Sequence, residues 1–469
     1  MIKLLDIYHR LPHPLRWGVA NLRGLQLRRR RYGSTFWSML PAIRERNGWD
    51  RNRWEAWQLR QLVTLLEVAA KHVSAYQGIG TGPKTEKDPS IPVASPGCGK
   101  AALDLLSRWP LLDRRWCREH PEELLDRRKG RRRLSRVQTS GTTGSPQLVY
   151  RDAEADQAVY AYFEARCRNP AGVNVKDRWA MIGGQLVVPF ARRRPPFWIA
   201  NWPMRQLYLS SYHMHEGNGR AYLDAIERFE PVYIHGYASS LHWLAQQADK
   251  LQSRLTLKLA ISNAEPLYAH QRSLISRALG CEVRDAYGSA EGVALAFECG
   301  AGRMHVSPDF GIVEILRADG SHCSPGEVGH IAATGLTNWS MILIRYLTGD
   351  SAAWAEDQLC PCGCTFPILE QIEGRTDDLL ETAEGRMVGR LDPVFKADCP
   401  IREAQVIQHR DLSIEIRVVP EPGFDTRQEK DLVREMQARM GEGLPITVSR
   451  VREIPRTASG KFRAVVRER

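Results

Sequence analysis

At 469 residues the chain is too long for one simple core, so two or more domains are expected. Its 43% hydrophobic and 26% charged residues are an ordinary globular balance, with no apolar run long enough to span a bilayer. The formal charge of +12 suits nucleic acid, an anionic membrane or an anionic substrate. Its sources are arginine-rich blocks at residues 28–31, 127–133 and 192–194, which lack the interleaved aromatics of a single-strand platform and argue against nucleic acid. Lys3, Asp6, His9 and Arg10 interrupt the first ten residues, so no secretory signal is expected and the cytoplasm is the expected compartment.

Residues 2–25 set Ile2, Leu4, Leu5, Leu11, Leu15, Val19 and Leu22 among basic residues, a composition that can rest on an anionic membrane. Pro12 and Pro14 interrupt a long amphipathic helix, so packing on the main domain is the expectation, with peripheral membrane contact left open. Trp57, Leu62, Leu65, Leu66 and Ala69 recur at helical spacing and predict a packed helix over 54–76. Residues 78–100, rich in Gly, Pro, Ser and Lys, read as a surface loop. Leu111-Leu112-Asp113 then lead into a helix ending near Leu125. Thr139-Ser140-Gly141-Thr142-Thr143-Gly144-Ser145-Pro146 follows, a run whose glycines turn tightly and whose N–H and hydroxyl groups can wrap phosphate oxygens. No Gly-Lys-Ser/Thr closes it, so it is not a Walker loop.

Helix-forming residues at 152–168, 222–229 and 241–251 alternate with short apolar runs at 179–182, 232–234 and 257–261. This predicts an α/β core with largely parallel strands. From 306 to 346 the pattern becomes hairpin-like, with 311–316 running into Ala318-Asp319-Gly320, and a β-rich subdomain is expected. The runs at 412–419, 429–440 and 446–448 form a small α+β module.

Several short motifs carry chemistry. Tyr287-Gly288-Ser289-Ala290-Glu291-Gly292 offers a ring that can stack on a base and a carboxylate that can hold Mg²⁺ beside phosphates. Asn263-Ala264-Glu265-Pro266 follows an apolar strand, at the carboxyl end where α/β sheets place ligands. Thr348-Gly349-Asp350 presents a carboxylate suited to ribose hydroxyls. Gly374-Arg375-Thr376-Asp377-Asp378 and Ser459-Gly460-Lys461 complete the set. Each alone is commonly a plain turn. Cys360-Pro361-Cys362-Gly363-Cys364 points to metal before disulfide in a reducing compartment.

Taken in order, these motifs resemble those of the adenylate-forming (acyl-CoA synthetase) superfamily, and within it the phenylacetate-CoA ligases and their CapK-like relatives from capsular-polysaccharide gene clusters. The resemblance runs from about residue 50 to the C-terminus. It implies a large N-terminal adenylation domain of several subdomains (1–375) and a small α+β C-terminal lid (376–469). Thr139 to Pro146 is similar to the family's phosphate loop, although the family usually carries Lys where this chain has Ser145. Glu265, Pro266, Tyr287, Gly288, Ser289 and Glu291 correspond to segments that hold adenine and Mg²⁺. Asp350 corresponds to the ribose-binding Asp, Arg375 with Asp377 and Asp378 to the hinge, and Lys461 to the adenylation lysine.

The same branch implies structural Zn²⁺ on Cys299, His305, Cys360 and Cys362, with Cys364 as an alternative thiol, in the β-rich part at 299–365. The implied reaction converts a small-molecule aryl or fatty acid and ATP to acyl-AMP and pyrophosphate, then transfers the acyl group to CoA. An acyl carrier protein or an amine is the alternative acceptor, and an inactive binding scaffold or a nucleic-acid binder is the rival class. The acyl pocket is expected between residues 233–239 and 263–287, and a homodimer is left open.

Overall fold

The computed structural model describes residues 4–77, 98–131, 134–138, 148–185, 187–189, 192–214, 216–375, 380–382, 387–388, 400–440, 443–456 and 462–468. The expected phosphate loop (Thr139, Ser140, Gly141, Thr142, Thr143, Gly144, Ser145 and Pro146), Asp377 and Asp378, and Ser459-Gly460-Lys461 lie outside these residues.

Among the described residues, six α-helices precede the first strand: α1 (Leu4–Arg10), α2 (His13–Arg31), α3 (Ser34–Glu45), α4 (Arg51–His72), α5 (Cys98–Leu106) and α6 (Arg114–Glu119). The helix expected over 54–76 is α4, which Asp50 caps by accepting from the Arg53 N–H at 2.9 Å. Its buried Leu62, Leu65, Leu66 and Ala69 join the core that also holds Leu106, Tyr150 and Tyr346.

Three expectations need correction. Residues 98–100 start α5 and do not belong to a loop. The helix after Asp113 stops at Glu119, because Pro121 disfavours helical backbone at His120, and Leu125 instead bridges to Met341. Pro14 does not prevent a 19-residue α2, because it lies in the first turn, where a missing N–H costs nothing.

Strands β1 (Ser135–Gln138) and β2 (Leu148–Arg151) pair antiparallel on either side of the expected phosphate loop in sequence. After α7 (Ala153–Phe163), capped by Asp152, the alternating pattern yields the expected parallel core. Its strands are β3 (Trp179–Gly183), β5 (Gln206–Ser210), β6 (Tyr233–Tyr237), β7 (Leu259–Asn263) and β8 (Glu282–Gly288), with β4 (Trp198–Asn201) antiparallel at the edge. The crossover helices are α8 (Gly219–Phe229), α9 (Ala238–Lys250) and α10 (Ala269–Leu279). α8 buries Tyr222, Leu223, Ile226 and Phe229 on one face, each contributing about 1.5–3 kcal/mol of transfer free energy.

The hairpin-rich stretch forms β9 (Leu295–Glu298), β10 (Met304–Val306), β11 (Gly311–Leu316), β12 (Gly329–Gly335), β13 (Tyr346–Trp354) and β14 (Ile368–Arg375). Antiparallel pairing of β8 with β9 joins these strands to the core in one 12-stranded sheet. Past the short pair β15 (Leu380–Glu381) and β16 (Met387–Val388), the chain forms β17 (Ile401–Gln408), β18 (Ile414–Pro420), α11 (Thr426–Met440), β19 (Ile446–Arg450) and β20 (Val465–Arg467). The last four strands make a separate sheet ordered β19-β18-β17-β20, with its own core of residues such as Leu380, Ile416, Leu432 and Met436.

Candidate active site and metal centre

Among the described residues, the Glu265 and Tyr287 motifs lie where the parallel strands β7 and β8 end. After β7, Ala264 takes the left-handed conformation at φ 63°, at a cost of roughly 1–2 kcal/mol, and turns the chain so that Glu265 faces two backbone donors. Its Oε2 accepts from the Ser239 N–H at 3.0 Å, at the start of α9. Its Oε1 accepts from the Phe462 N–H at 2.7 Å, in the C-terminal module. Burial holds the Glu265 carboxyl above the ordinary carboxylate range, and these N–H donors work against that rise. A cavity of about 460 Å³ opens beside this contact, lined by Ser239, His242 and Tyr268 from one side and Arg402 and Phe462 from the other.

On β8, the Tyr287 hydroxyl donates to Asp350 Oδ2 at 2.7 Å. Burial and the adjacent Asp350 raise Tyr287 well above its usual value, so the hydroxyl keeps its proton and remains a donor. Asp350 lies on β13, where its register partner on β14 is Arg375, so the sheet aligns these two backbone positions. Glu291 is 5% exposed, and its Oε1 accepts from the Tyr346 hydroxyl at 3.0 Å. The buried Arg151 guanidinium binds the Ala290 carbonyl beside it. Gly292 follows at φ 72°, and a Cβ there would sit 3.2 Å from Arg151 Nη2, so both backbone and space favour glycine. Ser289 Oγ, just past the end of β8, is buried without a hydrogen-bond partner, as a polar atom kept for a ligand would be.

Sequence reasoning placed Ser239 only at the edge of the expected acyl region and missed Phe462, Tyr346 and Arg151. No local pattern marks them, because each acts across a long sequence separation: Tyr346 lies 55 residues from Glu291, and Phe462 lies 197 from Glu265. It also missed His235, which is buried in the expected acyl region and stacked on Phe163 at 5.3 Å. Burial, with Arg168 nearby, pushes its imidazole down to about 3, so it is neutral at physiological pH.

A second cluster lies where β9 turns into β10. Cys299, His305, Cys360 and Cys362 bring their ligand atoms within 4.8 Å of one another. Cys299 Sγ lies 3.6 Å from Cys360 Sγ, and Cys362 Sγ lies 3.4 Å from His305 Nε2. Zn²⁺ bound tetrahedrally at ordinary bond lengths sets S···S near ~3.7 Å and S···N near ~3.6 Å. His305 Nδ1 lies 3.2 Å from the Phe366 carbonyl, an acceptor, which places the ring proton on Nδ1 and leaves Nε2 to coordinate. Cys364 is outside the four and packs in the core that holds Phe36 and Phe366.

Residues 380–468 match the CapK C-terminal domain family. The Protein CapK of Staphylococcus aureus is 24% identical over 78% of this chain and 81% of its own length. The phenylacetate-coenzyme A ligase of Thermus thermophilus is 27% identical over 51% of this chain, a stretch spanning 61% of that protein. Among solved structures, 2-hydroxyisobutyryl-CoA ligase in the postadenylation state with R3-HIB-AMP superposes with a TM-score of 0.68 at 18% identity, covering 90% of this chain and 91% of that one. The same ligase in the thioesterification state, with 2-HIB-AMP and CoA, covers equal shares (90% and 91%, at 18% identity) but reaches a TM-score of only 0.54. The CapK C-terminal match, the CapK and phenylacetate-CoA ligase relatives, and a fold shared with an acyl-CoA ligase all fit the adenylate-forming superfamily.

Proposed function

We propose that the protein activates a carboxylic acid, aryl or fatty, as its acyl-adenylate and then passes the acyl group to the thiol of CoA. The observation that carries this reading is the Glu265 carboxylate, which ties the Phe462 N–H of the C-terminal module to the strand ends holding Tyr287 and Glu291. Lys461 precedes Phe462 in the chain, so this contact anchors the segment bearing the one cation the family's chemistry requires of its lid. Division into a body at 1–375 and a lid at 376–469 is part of the proposal.

A carboxylate is a poor acyl donor, since oxide is a poor leaving group. Attack of its oxygen on the α-phosphorus of ATP expels pyrophosphate and leaves a mixed anhydride, from which AMP departs readily. The protein's work is positioning and charge compensation. Asp350, steadied by Tyr287, takes ribose hydroxyls, and the Tyr287 ring stacks on the base. Thr139 to Gly144 hold the phosphates through N–H and hydroxyl donors. Glu291 is an anchored hard-oxygen donor of the kind Mg²⁺ takes, and that ion would neutralise phosphate charge. Lys461 compensates the charge that builds between carboxylate and α-phosphate. In the second step the thiolate adds to the acyl carbonyl and AMP leaves. In the Cys/His cluster, Cys299, His305, Cys360 and Cys362 would hold a structural Zn²⁺, tying the β9–β10 turn to the loop after β13.

The test is pyrophosphate release across a panel of aryl and fatty acids, followed by AMP release from the preformed adenylate on adding CoA, a phosphopantetheinylated carrier protein or simple amines. Acid-dependent pyrophosphate release and CoA-dependent AMP release support the reading. No acid-dependent release from the panel rejects adenylation. AMP release with a carrier or amine alone rejects CoA as acceptor.

A further inference from the structure

The N-terminal helical layer carries a face that the proposed chemistry does not use. The inner side of α2 is packed: Gly24 lies against Asn201, and Asn21 donates to the Ala200 carbonyl at 3.0 Å while accepting from the Trp202 N–H at 2.9 Å. The opposite side repeats Leu15, Val19, Leu22 and Leu25 at steps of four, three and three, and all four are exposed, Leu22 at 62%. Trp17, whose carbonyl accepts from Asn21, and Trp202, whose N–H donates to Asn21, are also exposed. Isolated exposed leucines need no explanation, but a periodic stripe of four exposed apolar side chains on one helix face marks a contact surface. No helix among the described residues is long and apolar enough to cross a membrane, so the stripe is not part of a span.

Charge decides what this surface fits. α2 carries Arg16, Arg23 and Arg28–Arg31 and no acidic residue. Arg30 is paired with Asp156, but Arg23 and Arg29 meet no carboxylate among the described residues. At the end of α2 lies a cavity of about 250 Å³ lined by Arg28, Lys176 and Arg205 with Tyr32 and Trp37, and no acidic residue lines it. Beneath the helix, Arg16 is 3% exposed with Nε and Nη1 unpaired, and Arg192 also keeps an unpaired Nε.

We propose that the outward face of α2 docks on a membrane surface rich in anionic lipid. The helix lies in the plane of the interface, with Leu15, Val19, Leu22 and Leu25 sunk roughly 5–10 Å to the acyl boundary and Arg23 and Arg29 at lipid phosphates. A second copy of the chain is the poorer occupant. A two-fold contact would press one acid-free, arginine-rich helix against its twin, and like charges in an interface are costly.

Full-length protein is sedimented with vesicles of phosphatidylcholine alone and of phosphatidylcholine with phosphatidylglycerol, at low and high salt. Binding is expected only with phosphatidylglycerol and should weaken as salt screens the arginines. Arg23→Gln and Arg29→Gln should each weaken it about five-fold. Leu15→Glu with Leu22→Glu should weaken it more than about ten-fold, since two buried leucines are lost, while the melting temperature stays unchanged because both side chains are already exposed. No binding to phosphatidylglycerol vesicles at low salt overturns the proposal, as does equal binding by the double glutamate variant. A dimer seen by light scattering that becomes monomeric in Leu22→Glu, without vesicle binding by the parent protein, assigns the stripe to a second copy and overturns it as well.

Discussion

The strand-end cleft and the Cys/His cluster sit on the same 12-stranded sheet but are built for opposite purposes. In the cleft, carboxylates are held by a few hydrogen bonds from distant elements: Glu265 by Ser239 and Phe462, Asp350 by Tyr287, Glu291 by Tyr346. One of those contacts, Glu265 with the Phe462 N–H, crosses to the C-terminal module. In the cluster, three thiols and the His305 imidazole, from the β9–β10 hairpin and the loop after β13, lie within 4.8 Å of one another, and no C-terminal residue is among them. In the proposed function, the contrast separates a catalytic surface held by sparse, separable hydrogen bonds from a structural pin held by a closed ligand set.

The most severe break in that contrast is Lys461→Ala. It should slow adenylation about 10²–10³-fold, the scale of losing one preorganised charge, with no change in melting temperature or zinc content. Acid-dependent ATP–pyrophosphate exchange measures it, and an unchanged rate in the folded variant removes the lysine's assigned role. Cys362→Ser should do the reverse. Zinc, about one per chain in the parent protein by elemental analysis, should be lost, and the melting temperature should fall by about 5 °C or more, while the ATP KM of protein assayed in the cold holds. Metal-free parent protein would refute the site.

Asp285 tests the electrostatics beneath the cleft. Its side chain accepts from Ser262 and from the Ala286 N–H, yet burial raises its carboxyl to about 6. A raised carboxyl favours the folded state most when protonated. Stability should therefore be highest below pH 4 as far as this group is concerned, and should fall by roughly 3 kcal/mol as pH rises from about 4 through 6. Asp285→Asn, which keeps an acceptor oxygen and has no charge to bury, should lack that fall in urea titrations across pH. The smallest effect belongs to Glu265→Ala. Leaving the Ser239 and Phe462 donors without their acceptor should slow adenylation about ten-fold and lengthen a spin-label distance between α9 and α11. An unaltered distance would show that Glu265 does not hold the lid.

Much of the fold was legible because its signals are periodic and local. The 3.6-residue spacing in α4 and the alternation of apolar runs with helical runs dictated a parallel sheet. Errors came where one residue outweighed composition. Pro121 ended α6 early, and Pro14 was harmless because of where it stood in α2.

For the site, the chain alone determined the chemical types and their order: Glu265, Tyr287, Glu291, Asp350, Arg375 and Lys461, together with the thiols at 360 and 362. A motif is a run of neighbours, and neighbours can be read. Tertiary structure alone decided which groups meet. It gave Glu265 to the Phe462 N–H and Glu291 to Tyr346, joined Cys299 to Cys360, and left the Leu15–Leu22 side of α2 facing outward although its other side is packed. Those outcomes depend on how the sheet aligns strands far apart in the chain and on which helix face the sheet edge covers, and neither is encoded in any short stretch of residues.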